Sequence, residues 1–256
     1  MPSATALRRC VKVEKWGVQY RIVVYLAGAP ELRNVENVGN VENLSNNVET
    51  RLDCNISRAK SRIRELASCN PWSHFATLTL NPDKIVRTEK PTITKCLGNW
   101  IGNYNRKYGA KLKYLIIPEQ HKDGAWHFHG LLNGIASDSL VRNEHGYLDM
   151  PYYAKRFGFI SLDPIRNLER CSSYISKYIT KDMGATQVAL GEHLFYASHG
   201  LQGKTEVARG FLLVSPEKLG FMNDWVALEM TKDEEKISRI LVEMEQASGA
   251  ILGADY

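Results

Sequence analysis

Two histidines with a spacing suited to metal chemistry lie in an apolar run, Trp126-His-Phe-His-Gly-Leu-Leu132. Side chains alternate sides along a β-strand, so His127 and His129 project from one face, roughly 7 Å apart from the rise per residue. Phe128 packs on the other face. Two imidazoles can therefore converge on one ion, although a His-x-His pair taken alone is more often incidental than ligating.

A hairpin supplies a third candidate ligand. Residues 113–119 read as a strand, and Lys122-Asp123-Gly124 as the turn that joins it to the histidine strand. A hairpin centred near Asp123 places Glu119 opposite His127 and on the same face. Two imidazoles and a carboxylate suit Mg²⁺ or Mn²⁺ in a half-open site better than a closed zinc site. His121 shares this face but lies close to the turn, so its contact with a metal stays open.

A second group of reactive residues, Tyr174-Ile-Ser-Lys177-Tyr178-Ile-Thr-Lys181, lies in a helix predicted over 167–183. At 100° per residue the isoleucines form a buried stripe, the lysines flank it and both tyrosines stand at its boundary. A phenol with an ordinary pKa of about 10 is a poor nucleophile, so attack on a phosphodiester needs a nearby cation and a metal. Lys177 or Lys181 could offset the phosphate charge. The alternative is that these residues only border a core.

The elements around these residues predict an α+β fold, with one antiparallel sheet and helices packed on it. Periodicity and turn residues indicate strands at 75–80, 113–119, 125–132, 158–163, 193–198 and 207–214. Helices are predicted at 91–107, 151–157 and 167–183.

Three domains are predicted. Residues 1–70 form an N-terminal extension with a hairpin (10–15 and 18–26), an Asn/Val/Glu-rich connector at 34–47 and a helix at 51–67. Residues 71–215 form the catalytic domain, and 216–256 an acidic extension with a helix at 224–247. Residues 71–182 carry 16 basic and 10 acidic side chains, whereas 216–256 carry 4 and 9. The basic part holds the candidate metal site, as expected for a protein that binds a polyanion.

The overall composition excludes several classes of protein. The chain has 256 residues, of which 44% are hydrophobic and 24% charged, as in globular proteins. Five scattered cysteines without a Cys-x-x-Cys pair indicate neither a disulfide framework nor a thiolate metal site. Neither a membrane span nor a signal peptide is evident, so we expect a cytoplasmic protein.

Together these residues resemble the HUH endonucleases, and specifically the rolling-circle replication initiators of phages, plasmids and small circular single-stranded DNA replicons. Phe75-Ala-Thr-Leu-Thr-Leu-Asn81 is similar to the first family motif, a strand whose end helps bind DNA, which points to Thr77, Thr79 and Asn81. His127-Phe128-His129 is similar to the His-hydrophobic-His motif, with Glu119 at the spacing of an acidic ligand. The helix with Tyr174 and Tyr178 resembles that of the paired-tyrosine initiators.

The resemblance covers about residues 71–182 and implies a fold, a reaction and partners. The fold would be a ferredoxin-like or RRM-like sheet with the metal on its open face. A tyrosine would attack single-stranded origin DNA, forming a 5′-phosphotyrosyl link and freeing a 3′-hydroxyl that primes synthesis, and the reverse step would rejoin the strand. Lys177 and Lys181 would assist, and Mg²⁺ or Mn²⁺ would be the cofactor.

Departures from the family and rival interpretations remain. The residues from Pro216 onward are too few for a helicase domain, so we expect a host helicase and polymerase as partners, and no membrane. Gly203-Lys204-Thr205 lacks the glycine of a P-loop five positions earlier, so it is read as a loop in which Lys204 is a candidate DNA contact. The rivals are an HUH transposase or mobilisation relaxase, and a non-catalytic module that binds single strands through residues such as Trp126.

Overall fold

The computed structural model describes residues 7–26, 48–144, 146–181, 193–214, 219–222 and 226–252, in two compact units. The central unit spans Ser45–Gln202, and the terminal unit combines Met1–Leu44 with Gly203–Tyr256. The fold is α+β with two antiparallel sheets and five α-helices among the described residues, which confirms the predicted class. None of the described helices combines the length and hydropathy that a membrane span requires.

A seven-stranded sheet forms the central unit. Its strands, in chain order, are β3 (His74–Leu78), β4 (Lys113–Gln120), β5 (Trp126–Asn133), β6 (Val141–Arg142), β7 (Leu148–Asp149), β8 (Ile160–Pro164) and β9 (Tyr196–Ala197). Their spatial order is β6-β7-β8-β3-β5-β4-β9, so the predicted hairpin β4–β5 lies beside the strand of the first motif. The short strands β6 and β7 were not predicted.

Four helices of the central unit cover both faces of this sheet. They are α1 (Val48–Cys69), α2 (Lys90–Tyr108), α3 (Pro151–Arg156) and α4 (Leu168–Lys181). Helix α2 has Pro91 in its first turn. Gly109 follows its last residue, and a φ of 59° lets this glycine form a left-handed cap. Residues Ile93 and Leu97 of α2 pack with Phe128 on the even-numbered face of the hairpin.

The odd-numbered face of the hairpin packs against α1 and α4. Ile63 of α1 and Ile175 of α4 join a buried cluster with Leu115, Ile117 and Leu131. The open face that the family resemblance implied is therefore partly covered. Alternation explains this result, because Leu115 and Ile117 precede Glu119 on this face, Leu131 follows the histidines, and all three are apolar.

The terminal unit has its own five-stranded sheet, which the sequence analysis did not foresee. It consists of β1 (Leu7–Trp16), β2 (Gln19–Tyr25), β10 (Thr205–Val214), β11 (Phe221–Met222) and β12 (Val226–Thr231), in the order β10-β1-β2-β12-β11. Helix α5 (Glu234–Leu252) packs on it through Ile237 and Met244. The predicted N-terminal hairpin is confirmed as β1 and β2.

One prediction about the C-terminal part of the chain needs correction. The predicted helix at 224–247 was wrong at its start, because residues 226–231 form β12, which pairs with β2. Ala227 and Leu228 pair with Val24 and Val23 of β2, and this tertiary pairing outweighs the local helical signal. Helix α1 groups with the central unit, and β10 groups with the terminal unit, where it pairs with β1. The predicted domain limits stay predictions. The predicted connector at 34–47 lies outside the described residues.

Candidate active site

The β4–β5 hairpin brings the three predicted ligands together. Glu119 pairs with His127 and Ile117 with His129, so the predicted register is confirmed. Asp123 accepts a hydrogen bond from the backbone N–H of Ala125, and Gly124 adopts a φ of 83° that completes the turn. Glu119, His127 and His129 therefore share one face of the sheet.

The imidazole of His129 is held from both of its nitrogens. Its Nε2 lies 2.6 Å from Glu119 Oε2, and its Nδ1 lies 3.4 Å from Thr77 Oγ1 on the neighbouring strand. The side chain of His129 is buried, at 6% exposure. Glu119 and Thr77 thus fix the plane of the ring, as partners of a ligating histidine commonly do.

His127 is oriented by His121. The Nδ1 of His127 lies 2.9 Å from His121 Nε2, and the two rings are stacked with centroids 5.0 Å apart. The Nε2 of His127 is buried and has no hydrogen-bond partner among the described atoms. If Nδ1–H donates to His121, the lone pair of Nε2 is left free, which is the state that a metal ligand requires.

Both central imidazoles have lowered pKa values. Burial first, and then the charges of His127 and His121, lower the pKa of His129 to about 4. The pKa of His127 is lowered first by burial and then by His121. The contact between His129 and Glu119 has ion-pair geometry, but this lowered pKa makes it a hydrogen bond from a neutral imidazole to a carboxylate at neutral pH. Neutral imidazole is the form that binds metals.

The donor set fits Mg²⁺ or Mn²⁺ in type, although the side chains do not form a finished cage. Among the described residues, no group of three or more His, Cys, Asp or Glu side chains has the arrangement needed to hold a metal ion. The direct contact of Glu119 with His129 explains this, because a cation would have to separate the two groups. One carboxylate, two neutral imidazoles and the unpartnered Nε2 of His127 are nevertheless appropriate donors.

Tyr174 is the tyrosine that the structure places beside this group. Its ring is 48% exposed and meets the ring of Phe75 edge to face, with centroids 5.5 Å apart. Phe75 stacks in turn on His129 at 6.0 Å. The neighbouring Ile175 is fully buried, as the helical wheel predicts. Phe75 therefore connects the candidate nucleophile with the candidate metal ligands.

The remaining predicted residues of α4 cannot be placed. Tyr178, Lys177 and Lys181 belong to the backbone of the helix, but their side chains lie outside the described part of the molecule. Their roles stay predictions.

The residues predicted to bind DNA occupy different places. Thr77 contacts His129, whereas Thr79 and Asn81 follow β3, where their backbone N–H groups donate to Phe159 and Phe157. The ring of Trp126 lies under the ammonium of Lys90 at 4.7 Å, at the start of β5. Lys204 belongs to the terminal unit, where its ammonium lies 2.8 Å from Glu14. The DNA contacts themselves stay predictions.

The structure adds Phe75 and His121 to the candidate site. The sequence analysis had missed the first and left the second open. The sequence places Phe75 only in the first family motif, and its position between Tyr174 and His129 depends on how α4 packs. Strand parity already placed His121 on the ligand face, and its contact with His127 gives it an orienting position. Parity on β3 could have identified Phe75, because Phe75 and Thr77 share a face.

Comparison with known proteins gives one result. Residues 73–183 match the family described as Replication-associated protein ORF2/G2P. This range includes the β4–β5 hairpin and all of α4, and the match supports a role in replication. No curated protein and no solved structure gave a significant match.

Proposed function

We propose that the chain is a replication initiator that nicks and rejoins single-stranded origin DNA through a covalent tyrosyl intermediate, as rolling-circle initiators do. The observation that carries the proposal is the contact of Phe75 with both Tyr174 and His129. Through Phe75, this contact relates a partly exposed phenol of α4 to the sheet face that carries one carboxylate and two imidazoles, which supports the proposed chemistry. The match to a replication-associated family over 73–183 supports the same role.

The proposed reaction is a transesterification. Oη of Tyr174 attacks the scissile phosphorus, a P–O bond to the tyrosine forms and the P–O3′ bond breaks. The phenolic proton is passed through solvent to the leaving 3′ oxygen. The products are a 5′-phosphotyrosyl strand and a free 3′-hydroxyl, which a polymerase can extend. Attack by a 3′-hydroxyl on the phosphotyrosyl bond reverses the step and rejoins the strand.

Glu119, His127 and His129 would hold a divalent cation in this proposal. A cation bound there would polarise the scissile phosphate and stabilise the charge on the leaving oxygen. Thr77 and His121 keep the two imidazoles in fixed orientations, which limits the reorganisation needed on binding. Lys177 or Lys181 would offset the remaining phosphate charge, and a host helicase and polymerase would continue replication.

The test is formation of a covalent adduct. The full chain is incubated with a 3′-labelled single-stranded oligonucleotide from its own replicon, with Mn²⁺ or Mg²⁺, and the products are separated on a denaturing gel. We expect an adduct that requires the metal, and we expect Tyr174→Phe to remove it. The exposed Tyr147, which lies between β6 and β7, provides Tyr147→Phe as a matched control that should retain the adduct.

Two results would decide against the proposal. An adduct that persists in Tyr174→Phe but disappears in Tyr178→Phe would show that Tyr178, one turn further along α4, is the nucleophile instead of Tyr174. Failure of every strand of the replicon to form an adduct with either metal, while the chain still binds single strands, would favour a non-catalytic binding module.

A further inference from the structure

The sheet of the terminal unit has two faces of different character. On one face α5 packs against Val11, Val13 and Val24. The register places Lys12 beside Val23 and Arg209, and Glu14 beside Arg21, on the opposite face. Among the described residues of this unit, no helix packs on that second face. We call it the basic face, and it consists of Arg8, Lys12, Glu14, Arg21, Arg209 and Phe211, together with Lys204 and Glu206 at its edge.

A buried carboxylate organises three of the cations of the basic face. Glu14 is only 1% exposed, and its Oε1 lies 2.8 Å from the ammonium groups of both Lys12 and Lys204. Its Oε2 accepts hydrogen bonds from Arg21 Nε at 2.8 Å and from Trp16 Nε1 at 3.1 Å. The single negative charge of Glu14 therefore fixes three positive groups in position without neutralising them.

The charges of the unit are sorted across the sheet. The basic face carries five cations, Arg8, Lys12, Arg21, Lys204 and Arg209, against the two carboxylates Glu14 and Glu206, for a net charge of +3. Helix α5 on the other face carries four glutamates against Lys236 and Arg239, for a net charge of −2. Arg9 and Lys15 of β1 and Glu229 of β12 also point to the α5 side, which brings its net charge to −1. A polyanion is therefore attracted to the basic face and not to the α5 side.

Aromatic and apolar groups are interspersed with these cations. The guanidinium of Arg8 lies over the ring of Phe211 at 5.0 Å, and Leu213, which pairs with Arg8, is 68% exposed. Surfaces that bind single strands without sequence preference combine a cationic track for phosphates with flat side chains for the bases. The basic face supplies the cationic track, and Phe211 with the exposed Leu213 supplies an apolar patch beside it.

We infer that the basic face binds the backbone of single-stranded DNA without sequence preference, as a second DNA-binding surface in addition to the candidate active site. The occupant follows from charge complementarity together with the exposed apolar groups. This inference goes beyond the proposed function, because it requires neither cleavage nor a metal.

The experiment measures binding of the full chain to a fluorescein-labelled thymidine strand of about 30 nucleotides, long enough for a typical single-strand site. Fluorescence anisotropy is recorded in EDTA at several salt concentrations. The variants change Arg8 and Arg209, since Lys12 and Arg21 also neutralise the buried Glu14 and their loss could unfold the unit. The double variant Arg8→Gln/Arg209→Gln should bind about three- to tenfold more weakly. The slope of log Kd against log salt should fall by about 0.7 for each phosphate that the variant no longer neutralises.

Two further variants test the sign of the effect. Glu206→Gln removes a carboxylate beside Arg209 and Lys12 and should tighten binding about two- to threefold. Arg209→Lys keeps the charge and should retain most of the affinity. Arg239→Gln removes one charge from exposed α5 and is the matched control for the single variant Arg209→Gln. It should leave the Kd unchanged, whereas Arg209→Gln should weaken binding about two- to threefold.

An unchanged Kd and salt slope in the double variant would overturn the inference, provided that circular dichroism shows the wild-type fold. If Arg239→Gln lost as much affinity as Arg209→Gln, the inference would also be overturned, since net charge alone would then explain binding. The result is separable from the proposed function. If no tyrosyl adduct forms but the Kd values of the Arg8, Arg209 and Glu206 variants change as expected, only the proposed function fails. If the adduct forms normally but these variants leave the Kd unchanged, only the inference about the basic face fails.

Discussion

The buried Glu14 offers a quantitative test of how the terminal unit is stabilised. Although burial raises its pKa, hydrogen bonds from Lys12, Lys204 and Trp16 and the charge of Arg21 lower it more, so that it falls from 4.5 to about 2. Each pKa unit corresponds to about 1.36 kcal/mol, so the ionised carboxylate contributes about 3 kcal/mol at neutral pH. The side chain is almost fully buried, so solvent does not screen these interactions appreciably.

The sign of the pH dependence follows from the lowered pKa. The contribution is complete above the unfolded value of about 4.5, and it is lost as the pH falls towards 2, where the folded state also becomes protonated. At pH 3 about one unit, or roughly 1.4 kcal/mol, remains. Glu14→Gln should therefore destabilise the sheet strongly at pH 7 and much less at pH 3.

Hydrogen–deuterium exchange resolved by peptide is the appropriate assay, because the chain has two compact units. At pH 7 the variant should lose up to about a hundredfold in protection in the peptides of β1 and β10, since 1.4 kcal/mol corresponds to a factor of about ten. The peptide of β4 in the central unit is the internal reference. A loss below about threefold at pH 7, or an equal loss at pH 7 and pH 3, would refute the electrostatic explanation.

Four further predictions concern the central unit. A Cβ at Gly158, whose φ is 141°, would lie 2.7 Å from Asn81 N, so Gly158→Ala should destabilise the chain by about 1–3 kcal/mol in urea denaturation. Gly102→Ala in α2 has open space and should instead stabilise it by about 0.5–1 kcal/mol. Because burial lowers the pKa of His129 to about 4, Mn²⁺ affinity measured by calorimetry should fall less than about tenfold between pH 7 and 5.5, whereas two ordinary imidazoles would cost about a hundredfold. His121→Phe should weaken Mn²⁺ binding about 10- to 100-fold by releasing His127, and an unchanged affinity would exclude the orienting role of His121.

Much of the central unit could be predicted because local signals and tertiary packing agree there. Alternation and the Asp123-Gly124 turn fix the register of the hairpin, and that register alone brings Glu119 to His127. The helix carrying Tyr174 follows from the spacing of its isoleucines. No local pattern, however, specifies which sheet face a helix will cover.

The five-stranded sheet of the terminal unit could not be predicted for a related reason, although its hairpin β1–β2 could. The sheet joins β1 and β2 to β10 and β12, which lie about 200 positions later in the sequence. Each of these strands has an ordinary apolar pattern, but the pairing depends on partners such as Lys204 and Glu14, whose spacing carries no signal. The predicted C-terminal helix began too early because β12 takes its strand conformation from β2.

One face of the β4–β5 hairpin serves both the core and the candidate site. Leu115, Ile117 and Leu131 are buried against α1 and α4, and on the same face Glu119 and His129 form the polar end. A slip of one residue in register would turn all of these side chains to the other face at once, so stability and site geometry depend on the same alternation. The apolar contacts of the core therefore maintain the ligand arrangement, and the cost of burying imidazoles is offset by keeping them neutral and hydrogen-bonded. Selection for stability alone would favour apolar residues at the positions of Glu119 and His129. The polar character of these two residues is therefore itself evidence of function.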